Sequence, residues 1–232
     1  DFRIFITADN EARTLTVSDN GIGMTRDELE QNLGVIAKSG SMAFKAEHAG
    51  EENSAADTDI IGQFGVGFYS AFMVSDKVTV ISKAFGSDTA YKWESEGADG
   101  YTVTECEKDG VGTDVIMHIK PDDDNERYGD YLQAWKIMRL VKKYSDYIRW
   151  PIQMDVERPE MKETGEKNDD GSPKYETVTT VERETINSQI PIWQRSKSEV
   201  SDEDCMNFYK EHWHDTTDPA CVIRINAEGQ VS

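Results

Sequence analysis

Cysteine is scarce in this sequence: Cys106, Cys205 and Cys221 are odd in number and far apart, with no C-x-x-C spacing for zinc or redox chemistry. Reduced thiols in a cytoplasmic protein are what they support. Positive charge is short as well. Twenty-five bases face 45 acids, a net charge of −20 that repels nucleic-acid phosphates and anionic membrane surfaces. The bases do not cluster, so neither nucleic acid nor membrane is expected as a partner. No apolar run approaches the ~18 residues of a membrane span, and no charged-then-apolar leader precedes the first strand. A soluble, unexported protein is expected. An initiator Met is missing too, although "DFRIFITAD" already alternates Phe2, Ile4 and Ile6 against polar neighbours. The chain therefore reads as part of a longer protein, and its 232 residues suit one well-cored domain plus part of another.

The first strand turns through "DNEAR" and returns as "TLTVSDN", a hairpin that delivers Asp19 to a strand end. Thr25 and Glu28 form a capping box, after which Leu29, Leu33 and Ile36 recur at helical spacing. "AGEENSAADTD" is small, acidic and without an apolar stripe, so residues 34–61 are expected to be mobile. "IIGQFGVGFYSAFMV" places Gly62, Gly65 and Gly67 ahead of a compact apolar helix. Four strand-like runs follow, "KVTVISKAF", "AYKWESEG", "YTVTECE" and "GTDVIMHIK", separated by Gly and Asp turns and suited to an antiparallel sheet. A helix over 130–148, with Tyr131, Trp135, Met138 and Val141 on one face, is expected to cover that sheet. The fold class is α+β, a two-layer sandwich of a mainly antiparallel sheet and helices. Residues 155–184 hold ten acids, five bases and no Leu, Ile, Phe or Trp, which predicts an acidic linker or a loosely held hairpin. Beyond it, "INSQIPIWQRSKSEVSDEDCMNFYKEHW" regains apolar content, with a helix capped by Ser201 and with Trp193, Phe208, Tyr209 and Trp213 as domain core. The domains are therefore 1–154, the connecting 155–184, and 185–232 as the start of a second, α/β unit.

Two glycine groups carry the chemistry. An aspartate at a strand end accepts a hydrogen bond from an exocyclic amine such as adenine's, and Gly21 and Gly23 let a flat ring approach Asp19. Taken alone, "DNGIG" fits a tight turn equally well. Gly62, Gly65 and Gly67 would put bare amides at a helix N-terminus, where phosphate is favoured; glycines for close helix packing are the alternative. The spacing is not that of a P-loop, and no βαβ unit surrounds it. Asn32 alone fits a surface residue, and Lys38 a solvated lysine that compensates a helix dipole. His48, His118, His212 and His214 show no ligand spacing beyond the 212/214 pair, and no metal site is assigned to them.

"DNGIGMT", "NLGVIAKSG", "GQFGVGFYSAFMV" and "GTDV" stand in order and at close spacing, and with them the chain resembles the heat-shock-protein-90 family of chaperones over nearly its whole length. The short linker favours the family's bacterial form. The resemblance implies a Bergerat-type (GHKL) ATP site, shared with gyrase B, MutL and histidine kinases. It implies that Asp19 binds the adenine amine, that Gly23 and Met24 line the base, and that Thr113 supports Asp19 and the base through water. Asn32 and Lys38 would face sugar and phosphates, and Gly62, Gly65, Gly67 and the amide of Phe68 would cradle the phosphates under a lid formed by residues 34–61. ATP or ADP is the implied cofactor, with Mg²⁺. The glutamate that activates water and the asparagine that holds Mg²⁺ are expected upstream of residue 1, so residues 1–232 are expected to contain no catalytic residue and not to hydrolyse ATP. Partners implied are unfolded client proteins and a second copy, joined through a C-terminal domain. A DNA-acting ATPase of the gyrase B or MutL kind and a histidine-kinase-type module are the competing functions. The acidic balance argues against the first, and no phosphoacceptor helix is visible for the second.

Overall fold

The computed structural model describes residues 1–34, 67–97, 100–167, 173–196, 198–213 and 215–223. Its sheet has eight strands in the order β5-β4-β3-β6-β2-β1-β7-β8. In chain order these are β1 (Ile4–Asp9), β2 (Thr14–Asp19), β3 (Ser75–Lys83), β4 (Ala90–Ser95), β5 (Tyr101–Cys106), β6 (Gly112–Ile119), β7 (Ile152–Lys167) and β8 (Pro173–Thr185). Every pairing is antiparallel except β1 with β7. The helices are α1 (Arg26–Leu33), α2 (Ala71–Val74), α3 (Ala134–Tyr144) and α4 (Asp202–Trp213). The mainly antiparallel α+β architecture expected from the strand alternation is what forms.

The register explains how one sheet face buries two clusters. Ile6 lies opposite Val17, Val17 opposite Val115, Val115 opposite Val80, and Val80 opposite Trp93. Directly opposed residues project to the same face, so this row is a continuous apolar band. Ile137 and Val141 of α3 cover its β1–β7 side with Ile6, Ile152 and Met154, while Leu29 and Leu33 of α1 cover its β3–β4 side with Val78, Val80 and Trp93. The opposite face is polar. There Glu94 receives Lys77 and Lys92, each with Nζ 2.8 Å from a carboxylate oxygen, and these contacts lower its pKa from the ordinary 4.5 to about 2.

Helix α3 buries Val141 as expected but not Trp135. Ile137 and Val141 are its buried residues, whereas Trp135 is exposed with the Arg139 guanidinium over its ring. Ala134, Ile137 and Val141 form an i, i+3, i+7 stripe narrow enough to sit on the strands, and the indole keeps its bulk outside.

Strands β7 and β8 start in the sheet and leave it. Only Ile152, Gln153 and Met154 pair with β1, and from Asp155 outward the two strands pair with each other alone, down to Lys167 opposite Pro173. Of the two forms expected for 155–184, the described residues take the hairpin. Arg183 grips the Asp155 carboxylate with two nitrogens and lies over the Phe5 ring, while Arg158 pairs with Glu184. These contacts fasten the root of the ribbon and leave its outer part in water. Further on, Ser201 caps α4 by accepting the Asp204 amide. The rings expected as core form a chain of contacts, Tyr147 to Trp193 to Phe208 to Trp213, yet Trp193 and Trp213 stay exposed among the described residues.

Candidate functional site

The site grows from one row of three strands. Asp19 at the end of β2 lies opposite Thr113 of β6, and Thr113 lies opposite Ser82 of β3. All three side chains therefore project from one face, and the row runs from an exposed carboxylate through a buried threonine to a fully buried serine. The Thr113 and Ser82 hydroxyls are 2.8 Å apart.

The chain after Asp19 is stitched over this row by its own backbone. The Gly21 amide donates to Asp19 Oδ1 at 2.8 Å, which holds the carboxylate through one oxygen. The Met24 amide donates to Ser82 Oγ at 2.8 Å, and the Phe85 amide to the Ile22 carbonyl at 2.7 Å. Gly23 has φ +66, and a Cβ there would stand 1.9 Å from the Lys83 carbonyl oxygen. Gly112 has φ +123, and its Cβ would stand 2.1 Å from the Asp19 carbonyl oxygen. Neither position admits a side chain, because another stretch of backbone already lies there. Ile22 and Phe85 form an exposed apolar lip beside the loop. Thr25 then starts α1 through the expected capping box, both halves of which are present.

Of the residues expected at the base, Asp19, Gly23, Met24 and Thr113 are brought together by these contacts. Asn32 sits one helical face further along, its Nδ2 3.9 Å from Met24 Sδ. Gly67 and Phe68 open a 3₁₀ turn, Phe68–Ser70, that runs into the four-residue α2. Phe68 packs edge-on against Trp93, with centroids 5.4 Å apart, so Met24 and Phe68 rest on the same apolar cluster. The next residue, Tyr69, donates its hydroxyl to the Leu33 carbonyl at 2.9 Å. Burial, and Tyr101 nearby, push this phenol above its ordinary pKa. Lys38, Gly62, Gly65 and the 34–61 segment beyond Gly34 lie outside the described residues.

Two residues of the site escaped the sequence reading. Gly112 stands in the quoted "GTDV" without having been assigned a role. Ser82 had a fainter signal: Val78 and Val80 alternate inward, so the next inward position calls for an apolar residue and carries a hydroxyl. No group of three or more His, Cys, Asp or Glu suited to a metal ion occurs among the described residues.

Comparison with known proteins adds two matches in succession. Residues 3–113 match the family model described as "Histidine kinase-, DNA gyrase B-, and HSP90-like ATPase", and residues 157–232 the one described as "Hsp90 protein". Among curated relatives, the "Chaperone protein HtpG" of Natranaerobius thermophilus is 53% identical over 232 residues, 100% of this chain. The proteins of the same name from Clostridium perfringens strain 13 and Bacillus subtilis are 51% and 52% identical, over 100% and 99% of this chain. The aligned part is 35% of each, so the chain spans about a third of the length of the curated relatives it matches.

Proposed function

This chain belongs to the Hsp90 family and is HtpG-like along its length, and from that premise we propose that residues 1–154 hold ATP or ADP in a Bergerat-type pocket, within an ATP-dependent molecular chaperone. The observation that carries the base site is the row itself. Asp19 keeps one oxygen on the Gly21 amide, which leaves its other oxygen to accept the adenine amine. Thr113, beside it in register, supports the same edge of the base through water. Gly23 and Met24 line the base because the loop is pinned to the end of β3, and Asn32 faces the sugar from α1. Gly67 and the Phe68 amide take part of the phosphates, with Lys38, Gly62 and Gly65 assigned from the motif pattern alone.

Lid closure is assigned to residues 34–61, and the stretches 155–184 and 185–232 to the connector and to the start of the middle domain. Bound Mg²⁺ would supply positive charge at the phosphates. The described residues offer no cluster that fits it, so no step here runs through the metal. Hydrolysis is assigned to the complete protein, and nucleotide binding to residues 1–232. Unfolded client proteins, a homodimer and a cytoplasmic location complete the proposal.

The test is calorimetric titration of ADP into the protein and its Asp19→Asn variant. Asparagine keeps the shape but can turn a donor toward the amine, a mismatch of about 1–3 kcal/mol, or roughly 5- to 150-fold in affinity. Binding of ADP by Asp19→Asn at full strength would remove Asp19 from the site.

A further inference from the structure

We infer that Ser82, which need not touch the ligand, sets the donor direction of the Thr113 hydroxyl and so makes the site select a 6-amino purine over a 6-oxo purine. The inference rests on the base site proposed above.

A backbone amide can only donate, so at 2.8 Å from the Met24 nitrogen Ser82 Oγ is an acceptor. Its single proton has two acceptors in reach, Thr113 Oγ1 at 2.8 Å and the Gly112 carbonyl at 3.3 Å. The first distance is that of an ordinary O–H···O bond and the second lies beyond its usual range, so the proton goes to Thr113. Thr113 Oγ1 then accepts from Ser82, and its own proton must turn elsewhere. Ser82 is at 0% exposure, so its hydroxyl is held by these protein partners and not by bulk solvent.

What the row offers outward is therefore ordered: an acceptor at Asp19, then a donor beside it, because the water that takes the Thr113 proton keeps its own protons for the base. Adenine presents the complement, an amino donor at C6 beside an acceptor at N1. Hypoxanthine and guanine present the reverse, a carbonyl at C6 beside an N1–H, and fail at both positions. If Thr113 instead pointed its proton at Ser82, only acceptors would face the base, and discrimination would rest on Asp19 alone.

The experiment compares ADP with inosine diphosphate, which differs at this edge only, on the wild-type protein and on Ser82→Ala, Ser82→Thr and Thr113→Val. The ratio of the two dissociation constants on one preparation is independent of how much of that preparation is folded, so partial unfolding of a variant does not blur the readout. The wild type should prefer ADP. Ser82→Ala and Thr113→Val should each lower that preference about tenfold, the scale of one mispaired hydrogen bond, and Ser82→Thr should restore it. An unchanged ratio in Ser82→Ala, with the wild type selective, overturns the role of Ser82 and leaves the base site standing. Equal binding of both nucleotides by the wild type, or binding of neither, overturns the base site and this inference with it.

Discussion

Gly23 and Gly112 on one side and Gly67 on the other are the same residue type in glycine-rich motifs, yet their surroundings are opposite. At Gly23 and Gly112 an added Cβ would meet carbonyl oxygens at 1.9 and 2.1 Å, whereas at Gly67 it would meet nothing within 4 Å among the described residues. At Gly23 and Gly112, glycine is demanded by the protein's own chain, which crosses itself there to pin the 19–24 loop onto β3 and β6. Gly67 has φ −58 and ψ −40, a conformation any residue adopts. The first pair fixes the course of the loop, and at Gly67 the described residues leave a Cβ room. A glycine motif can thus mean close packing or open access, and only the neighbours decide which.

Gly23→Ala should break the first side of this contrast most severely. The methyl group meets backbone and not the end of a flexible side chain, and φ +66 is strained for alanine, so a loss of about 3 kcal/mol or more is expected, with Gly112→Ala close to it. Urea unfolding of each variant beside the wild type is the measurement. Unfolding midpoints equal to the wild type's would mean the loop is not pinned as described.

Thr25→Ala comes next. It removes the hydroxyl that accepts the Glu28 amide and half of a reciprocal cap, at a typical cost of about 1 kcal/mol. Because α1 leads straight out of the pinned loop, the variant also asks whether the helix start or the backbone stitching orders residues 19–25. Amide exchange at Met24 answers this. Protection there should survive Thr25→Ala, since its partner is Ser82, and its disappearance would place the ordering in the cap.

Acid separates the polar face of the sheet from the pinned loop. Glu94 titrates near pH 2 in the folded protein against an ordinary 4.5, chiefly because Lys77 and then Lys92 hydrogen-bond its carboxylate. A depressed folded-state pKa stabilises above pH 4.5, and that contribution drains away as the pH falls from 4.5 toward 2. These pairs are partly exposed, so about 1 kcal/mol is expected. Glu94→Gln should flatten that part of the stability profile and leave the ADP-to-inosine-diphosphate preference unchanged. A profile as steep as the wild type's would assign the acid loss to other carboxylates.

What was readable in advance follows how far apart the interacting residues lie. The β1–β2 hairpin, the arrival of Asp19 at a strand end and the Thr25–Glu28 cap are local, so alternation and spacing revealed them. The buried face of α3 was partly misplaced: Val141 is buried as expected, but the bulky Trp135 was assigned inward, while the strands below admit the narrower Ala134, Ile137 and Val141 stripe. Ser82 and Gly112 act through contacts with residues 24, 113 and 19, joined only once three strands align. No period in the chain announces such a row. The long ribbon of β7 and β8 was half visible, since its composition showed that little would be buried and left the pairing open.

The smallest effect on stability belongs to Gly67→Ala, and it is the sharpest test of the contrast. With no described residue within 4 Å of the Cβ and helical backbone angles, alanine meets no clash among the described residues and restricts the unfolded chain. A gain of about 0.4–1 kcal/mol, or no change, is expected from urea unfolding. Affinity should move the other way if phosphates approach the backbone at Gly67: the added methyl stands where they come close, so ADP binding should weaken although the protein is no less stable. Adenosine, which lacks phosphates, should bind the variant and the wild type alike. A variant that is destabilised would show that Gly67 is packed like Gly23. One that binds ADP at full strength would show that the phosphates do not lie beside Gly67.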